Sequence, residues 1–194
     1  MSDVSFLTTG RADTMTESRK FLDRLLEDYA NSFDITRDYE IGSVKAAAYG
    51  YFSTVSEKYV LSPKANLWSI HGFEHILFLE QDGVSLQDLE SIKVLMSDHM
   101  APELVCKGNK YPEKDHMYSY LTIAFLSKTS PNEEVINAVK KFRYEKNYLM
   151  TIRGHVEGHV VLIDLSTGKA FANKQAKHLA AYYEKIFDEA NVEQ

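Results

Sequence analysis

The chain has 194 residues, 44% of them hydrophobic and 26% charged, so it can bury a core without help from disulfides or metals. Its net charge of −6 argues against nucleic-acid binding, because that affinity depends chiefly on cationic contacts with phosphates. The sequence contains no run of the about 20 apolar residues that a membrane helix needs. The single cysteine, Cys106, excludes an internal disulfide, so we expect a cytoplasmic protein.

The N-terminal region is predicted to contain one amphipathic helix. Residues 1–13 are polar and are expected to be flexible. Thr14 and Glu17 match a capping box, and the apolar residues behind them recur at helical spacing to about Phe33. A charged connector, residues 34–42, is expected to follow.

The next part of the chain is predicted to be rich in strands. Its predicted strands are residues 44–55, 57–62, 66–71 and 74–80, with a turn at Gly72-Phe73 between the last two. Ser85 and Asp88 predict the capped start of a second helix. Residues 100–115 contain Pro and Gly and are the best candidate for an internal boundary.

The second half is predicted to combine strands with two helices. Its predicted strands are residues 116–128, 147–155, 159–165 and 169–173. Ser130, Pro131 and Glu133 give a helix-start signal between the first two of these strands. The turn Glu157-Gly158 predicts a hairpin, and a final helix is expected from about Lys174.

Two stretches of the sequence echo each other. LWSIHG, residues 67–72, matches LMTIRG, residues 149–154, and HILFLE, residues 75–80, matches HVVLID, residues 159–164. The echo predicts an internal duplication with two related halves, about 44–100 and 116–190, inside one domain that spans 14–194. The fold predicted from these elements is α+β, with a largely antiparallel sheet, helices packed on one face and an extra N-terminal helix.

The stretch His71-Gly72-Phe73-Glu74-His75 has two interpretations. As a hairpin with its turn at Gly72-Phe73, it places His75 on the opposite face from His71 and Glu74. As a helix, its HxxEH pattern resembles the pitrilysin–insulysin metallopeptidases, and this resemblance implies zinc held by His71 and His75 with Glu74 as the base. That family also uses a downstream Glu ligand, and nothing around Glu145 resembles its pattern there.

A second histidine pair, His155 and His159, brackets Glu157. On a straight strand these three side chains would share one face, as a metal site requires. The turn predicted at Glu157-Gly158 places the two histidines on opposite sides instead.

A second resemblance covers roughly the last eighty residues. It is carried by His116-Met117-Tyr118, Lys146-Asn147-Tyr148, Arg153-Gly154 and Asn173. These motifs resemble an uncharacterised bacterial family of soluble proteins. The resemblance implies no activity, cofactor or ligand, and it favours strands over a peptidase helix.

The sequence therefore leaves two functional hypotheses open. The favoured hypothesis is a non-catalytic module that binds a small molecule or a protein, with a second copy of the chain as one such partner, through the polar face around Arg153, His155 and Asp164. It needs no cofactor. The alternative is a metal-dependent hydrolase that uses the HxxEH stretch and zinc.

Overall fold

The computed structural model describes residues 9–57 and 69–192. Within those residues the chain forms four α-helices, a π-helix and seven strands. The helices are α1 Thr9–Tyr29, α2 Leu86–Leu95, α3 Glu133–Lys141 and α4 Lys177–Val192, and the π-helix Met96–Val105 continues from α2. The strands are β1 Asp34–Ile41, β2 Val44–Glu57, β3 Ser69–Gln81, β4 His116–Ser127, β5 Glu145–Asn147, β6 His155–Asp164 and β7 Ala170–Ala172.

The strands form one mixed sheet in the order β1-β2-β3-β4-β6-β5, and β7 also pairs with β6. At its centre β4 pairs in parallel with β3 on one side and with β6 on the other. The other four pairings are antiparallel. The α+β fold, the largely antiparallel sheet and the N-terminal helix are therefore confirmed.

Helices cover both faces of the sheet, so the prediction that they pack on one face is wrong. The α2 face is covered by α2, the π-helix and α3, which pack on Leu77, Ile123 and Leu162. The α1 face is covered by α1 and α4, which pack on Phe78 and Ala124. The central strands are apolar on both sides, and strands that are buried on both faces require a helix layer on each.

The two predicted hairpins are also wrong. β3 runs without interruption through Gly72-Phe73, and β6 runs through Glu157-Gly158. The echoed segments 75–80 and 159–164 lie in the two strands that flank β4, but the internal duplication stays a prediction. His75 and His159 lie on opposite faces of the sheet. His75 shares the α2 face with Leu77, two residues along β3, and His159 shares the α1 face with Val161, two residues along β6.

Residues 148–153, which were predicted to be part of a strand, form a turn between β5 and β6. Leu149, Met150 and Thr151 all have positive φ angles, which side chains of these types rarely adopt. Met150 and Ile152 are 88% and 74% exposed, so this segment does not bury its apolar side chains as a strand of the sheet would.

Local signals located the later helices better than the first one. The capping box of Ser85 and Asp88 starts α2 as predicted. The helix α3 also forms, but its N-cap is Asn132, whose side chain accepts a hydrogen bond from the backbone of Val135, and not Ser130. The strand β7 and the final helix α4 are confirmed.

The N-terminal helix begins and ends earlier than predicted. α1 starts at Thr9, so Thr14 lies inside the helix and is not its cap, and residues 9–13 are helical. The helix ends at Tyr29, and the predicted charged connector forms the edge strand β1. The predicted internal boundary at 100–115 is partly helical, since the π-helix reaches Val105. Residues 1–8 and most of the strand predicted at 57–62 lie outside the described residues.

Candidate functional site

The HxxEH stretch lies on a strand, so the helix that the metallopeptidase interpretation requires is absent. Successive side chains of β3 point to opposite faces of the sheet. Glu74 therefore faces α1 and α4, whereas His75 faces the π-helix. The backbone of His71 belongs to β3, but its side chain lies outside the described part of the chain. The carboxylate and the imidazole of Glu74 and His75 cannot hold one ion from opposite sides of a sheet.

Gly72, which suggested a turn, is required by a close contact with the neighbouring strand. Tyr118 lies opposite Gly72 on the neighbouring strand β4, and a Cβ atom at Gly72 would overlap its ring. Tyr118 also packs against Tyr120, with 5.1 Å between the ring centroids. Gly72 is therefore needed for close approach within a straight strand.

The structure does not bring Arg153, His155 and Asp164 together. His155 begins β6 and Asp164 ends it, and ten residues of strand span about 30 Å. Arg153 lies in the turn before β6, and His155 contacts Asn147 of β5, with 2.8 Å between Nδ1 and Oδ1. A single ligand of ordinary size cannot contact both ends of β6.

Asp164 is already saturated with hydrogen bonds. Its carboxylate accepts bonds from the hydroxyls of Ser130 at 2.6 Å, Ser166 at 2.6 Å and Thr167 at 2.7 Å, and from the backbone N–H of Ser166 at 2.9 Å. Burial alone would raise the pKa of Asp164, but these bonds outweigh burial and hold the pKa below its usual range. This carboxylate joins the loops at the end of the sheet and has no lone pair left for a ligand.

A cavity of about 310 Å³ lies on the α1 face, at the end of the sheet where β3, β4 and β6 begin. We call it the Glu74 cavity. It is lined by two carboxylates, three aromatic rings, a serine and a leucine: Asp28, Tyr29, Ser32, Phe33, Glu74, Leu179 and Tyr182. The ring of Tyr29 packs edge-on against Phe33, 4.9 Å away, and against Tyr182, 6.0 Å away. The walls are therefore aromatic and the charged groups are acidic.

Glu74 is mostly buried and has no cation as a partner among the described residues. One of its oxygens accepts a hydrogen bond from Thr122 at 2.8 Å. Burial raises the pKa of Glu74, and the bond from Thr122 and the nearby His178 offset that effect only in part. Asp28, the second carboxylate, accepts a hydrogen bond from the hydroxyl of Tyr182.

His159 lies on the same face as Glu74, on β6, which is separated from β3 by β4. Its ring stacks on Tyr120 at 4.6 Å, and its Nε2 is 3.8 Å from a carboxylate oxygen of Glu157. The straight strand does place His155, Glu157 and His159 on one face, which the predicted turn had excluded. The Nδ1 atom of His159 is buried without a hydrogen-bond partner in the described part of the chain. Burial, and then the nearby His178, lower the pKa of His159 to about 4.

The opposite face holds a second histidine cluster, under the π-helix. His75 Nδ1 is 2.7 Å from the hydroxyl of Tyr49. Burial lowers the pKa of His75 to about 4, with smaller contributions from His116 and Lys107. His116 is 2.8 Å from the hydroxyl of Ser119, and both line a space of about 20 Å³ beside His75.

A larger open depression of about 460 Å³ lies near β1 and β2, and two of its basic side chains form ion pairs. Arg37 contacts Asp23 at 2.6 Å, and Lys45 contacts Glu40 at 3.0 Å.

The described residues contain neither a metal-ligand cluster nor a membrane-spanning helix. Within 9–57 and 69–192, no three His, Cys, Asp or Glu side chains converge closely enough to hold a metal ion. None of the helices in these ranges is both long and apolar enough to cross a membrane.

Sequence reasoning missed the residues that complete the Glu74 cavity. Asp28 and Tyr182 lie on α1 and α4, and Thr122 lies on β4, so only the tertiary structure brings them to Glu74. The available signal was the long apolar run of each central strand, which is typical of parallel strands buried on both faces. Read as parallel central strands, these runs indicate that β3 and β4 are neighbours, which brings Glu74 and Thr122 onto adjacent strands.

The comparisons with known proteins identify a family without a described activity. The family model described as "Domain of unknown function (DUF8052)" matches residues 17–185. No curated protein matches the chain. No solved structure matches it either.

Proposed function

Because the chain belongs to the family of the domain of unknown function DUF8052, its function has to be argued from its own geometry, and we propose that it binds a small organic cation in the Glu74 cavity. The observation that carries this proposal is a buried carboxylate, Glu74, that faces a cavity and has no cationic partner among the described residues. A buried charge without a partner is costly, and a bound amine would supply the missing charge.

The chemistry of the walls supports a cation with an apolar body. Aromatic faces attract cations, and Tyr29, Phe33 and Tyr182 surround the carboxylates. The volume of about 310 Å³ is at the small end of the range for ligand pockets, so the ligand is a small molecule. No described Lys or Arg lines the cavity, which disfavours anionic ligands.

This proposal keeps the favoured hypothesis of a binding module and places the binding site elsewhere. Arg153, His155 and Asp164 do not support one ligand, whereas the Glu74 cavity has volume, charge and aromatic surface in one place. The metal-dependent hydrolase alternative lacks the helix that its HxxEH stretch requires, since these residues belong to β3. The cytoplasmic location and self-association stay predictions.

Calorimetric titration with benzylamine tests the proposal. Benzylamine carries one ammonium group and one ring, and benzyl alcohol is its uncharged counterpart. We expect benzylamine to bind and benzyl alcohol to bind far more weakly. Glu74→Gln keeps the shape and the acceptor for Thr122 but removes the charge, so it should weaken benzylamine binding by about 10- to 100-fold. Glu90→Gln, on the exposed side of α2, is the matched control and should change nothing.

The pH dependence gives a second readout. Only the ionised carboxylate of Glu74 attracts the amine, and its pKa is raised. Binding should therefore weaken as the pH falls through that pKa, and the Glu74→Gln variant should lack this dependence. Equal affinity for benzylamine and benzyl alcohol, or an unchanged affinity in Glu74→Gln, contradicts the proposal.

A further inference from the structure

A bulge in β4 brings a histidine and a serine to the same face of the sheet. In the pairing with β3, His71 lies opposite His116 and Gly72 lies opposite Tyr118, so Met117 is an extra residue. In a regular strand, His116 and Ser119 would point to opposite faces, since they are three positions apart. The bulge turns both toward the α2 face, where His116 Nε2 and Ser119 Oγ are 2.8 Å apart.

The orientation of the imidazole fixes the direction of this hydrogen bond. His116 Nδ1 is 3.3 Å from the carbonyl oxygen of Arg153, and a carbonyl can only accept. Nδ1 therefore carries the proton in this contact, and when the ring is neutral Nε2 is an acceptor. It follows that the hydroxyl of Ser119 donates to Nε2. This is the arrangement that activates serine nucleophiles, in which a base is itself oriented by a third group.

The ring of His116 is held on both sides. The ring of Phe73 is parallel to it within 5°, with 5.7 Å between the centroids. A Cβ atom at Gly154 would overlap Nδ1, so a glycine is needed there. The turn before β6 thus supplies both the carbonyl that orients the imidazole and the space that the imidazole occupies.

We propose that Ser119 is an acyl-accepting nucleophile for small apolar carboxylic esters, with His116 as its general base. The Oγ atom of Ser119 forms a bond to the acyl carbon, and its proton passes to Nε2 of His116. The ester C–O bond then breaks, and the leaving alkoxide takes that proton. Water, deprotonated by the same nitrogen, releases the acid and restores the serine.

The surroundings of Ser119 define the class of ester. The space of about 20 Å³ next to Ser119 has room for the one water that hydrolysis consumes. Its walls include Tyr51, Phe73, Leu104 and Val105, which favour an apolar acyl group.

Ser119 is fully buried, and an ion pair at the surface lines the space beside it. Lys107 Nζ lies 2.9 Å from Glu113, and both side chains line the space while more than half exposed. Exposed ion pairs contribute only about 0–1 kcal/mol, so we take displacement of Lys107 as the step that opens this space to a small ester. Lys107 also has a positive φ, which glycine tolerates better.

Acetylation by para-nitrophenyl acetate, followed by intact-mass and peptide analysis, tests the proposal. The wild-type chain should gain one acetyl group at Ser119 and release nitrophenolate. Ser119→Ala should lose that site, while Ser91→Ala, at an exposed helix position, should keep it. His116→Asn retains a donor for the Arg153 carbonyl but not the acceptor at Nε2, so acetylation should slow by at least about 100-fold.

Lys107→Gly opens the space and makes the test decisive. This variant should acetylate faster than the wild type at Ser119 while its far-ultraviolet circular dichroism stays the same. If neither the wild type nor Lys107→Gly is acetylated at Ser119, the proposal is wrong. It is also wrong if His116→Asn, folded by the same criterion, reacts at the wild-type rate. The benzylamine experiment concerns the other face of the sheet and is independent of this one.

Discussion

Two buried histidines should make the protein sensitive to mild acid. Burial keeps the pKa of His75 and of His159 near 4, whereas an imidazole in the unfolded chain titrates near 6.5. Because the folded pKa is the lower one, the stability that each histidine contributes is present above pH 6.5. It is lost as the pH falls from about 6.5 toward about 4.

The size of the loss follows from the two pKa values. Between pH 7 and pH 5, each histidine removes about 2 kcal/mol from the free energy of unfolding, and the pair removes about 4 kcal/mol. Native domains are stable by only about 5–15 kcal/mol, so this loss is a large fraction. Glu74 acts in the opposite direction, because its raised pKa makes the folded state take up a proton more readily.

Urea denaturation at pH 7, 6 and 5 measures the effect. The informative variant is His159→Phe, which keeps a ring against Tyr120 and removes the buried nitrogen that lacks a described partner. Its loss of stability between pH 7 and pH 5 should be about 2 kcal/mol smaller than that of the wild type. His99→Gln, at an exposed helix position, is the control and should leave the loss unchanged.

Two results would refute this reasoning. One is a wild-type free energy of unfolding that stays constant between pH 7 and pH 5. The other is a His159→Phe variant that retains the full loss, since the charged group facing His159 from its own strand, Glu157, and the nearby His178 would then dominate the titration.

Three further substitutions test the packing. Gly154→Ala should cost about 3 kcal/mol in urea denaturation, because its Cβ overlaps His116 and its φ is +97°, and a cost below about 1 kcal/mol would contradict that geometry. Ser85→Ala should cost about 1 kcal/mol by the same measurement, since it removes the N-cap of α2, and an unchanged midpoint would show that the cap is not formed. Leu25→Ala, at a fully buried position of α1, should cost about 2–5 kcal/mol, and a loss typical of surface positions would mean that α1 is not docked on the sheet.

Local signals predicted local structure well. The capping box of Ser85 and Asp88 involves atoms three residues apart, so the sequence alone is sufficient to locate the start of α2. The same reasoning chose Ser130 for α3 and failed, because the hydroxyl of Ser130 bonds to Asp164, which is distant in sequence. The two predictions differ in outcome because the partner of Ser85 is three residues away, whereas the partner of Ser130 is distant in sequence.

Glycines caused the main errors in the predicted sheet. Gly72 and Gly158 suggested turns, but both lie in straight strands against aromatic side chains. A Cβ atom at Gly158 would be 2.6 Å from the Cβ of Tyr144. The actual turn uses Leu149, Met150 and Thr151, and residues of these types give no local signal for positive φ. Close approach of distant chain segments cannot be read from residue spacing.

The candidate site was only half predictable. Glu74 and His75 were singled out for their residue types, and each lines one of the two spaces for which we propose a function. Their separation onto opposite faces follows from β3 being a single strand, which depends on its parallel pairing with β4. That pairing is made by residues far apart in sequence. The cavity and the histidine–serine pair depend on it and therefore could not be predicted from local signals.

The position of β4 has a consequence for how the protein is made. During synthesis β4 can pair with β3 at once, but its other edge stays open until β6 has been translated. A nascent or refolding chain therefore passes through an interval in which an apolar strand edge is unprotected, and such edges promote aggregation. We expect refolding to take milliseconds to seconds, as for other sheets with distant strand pairings, and its yield to fall as the protein concentration rises.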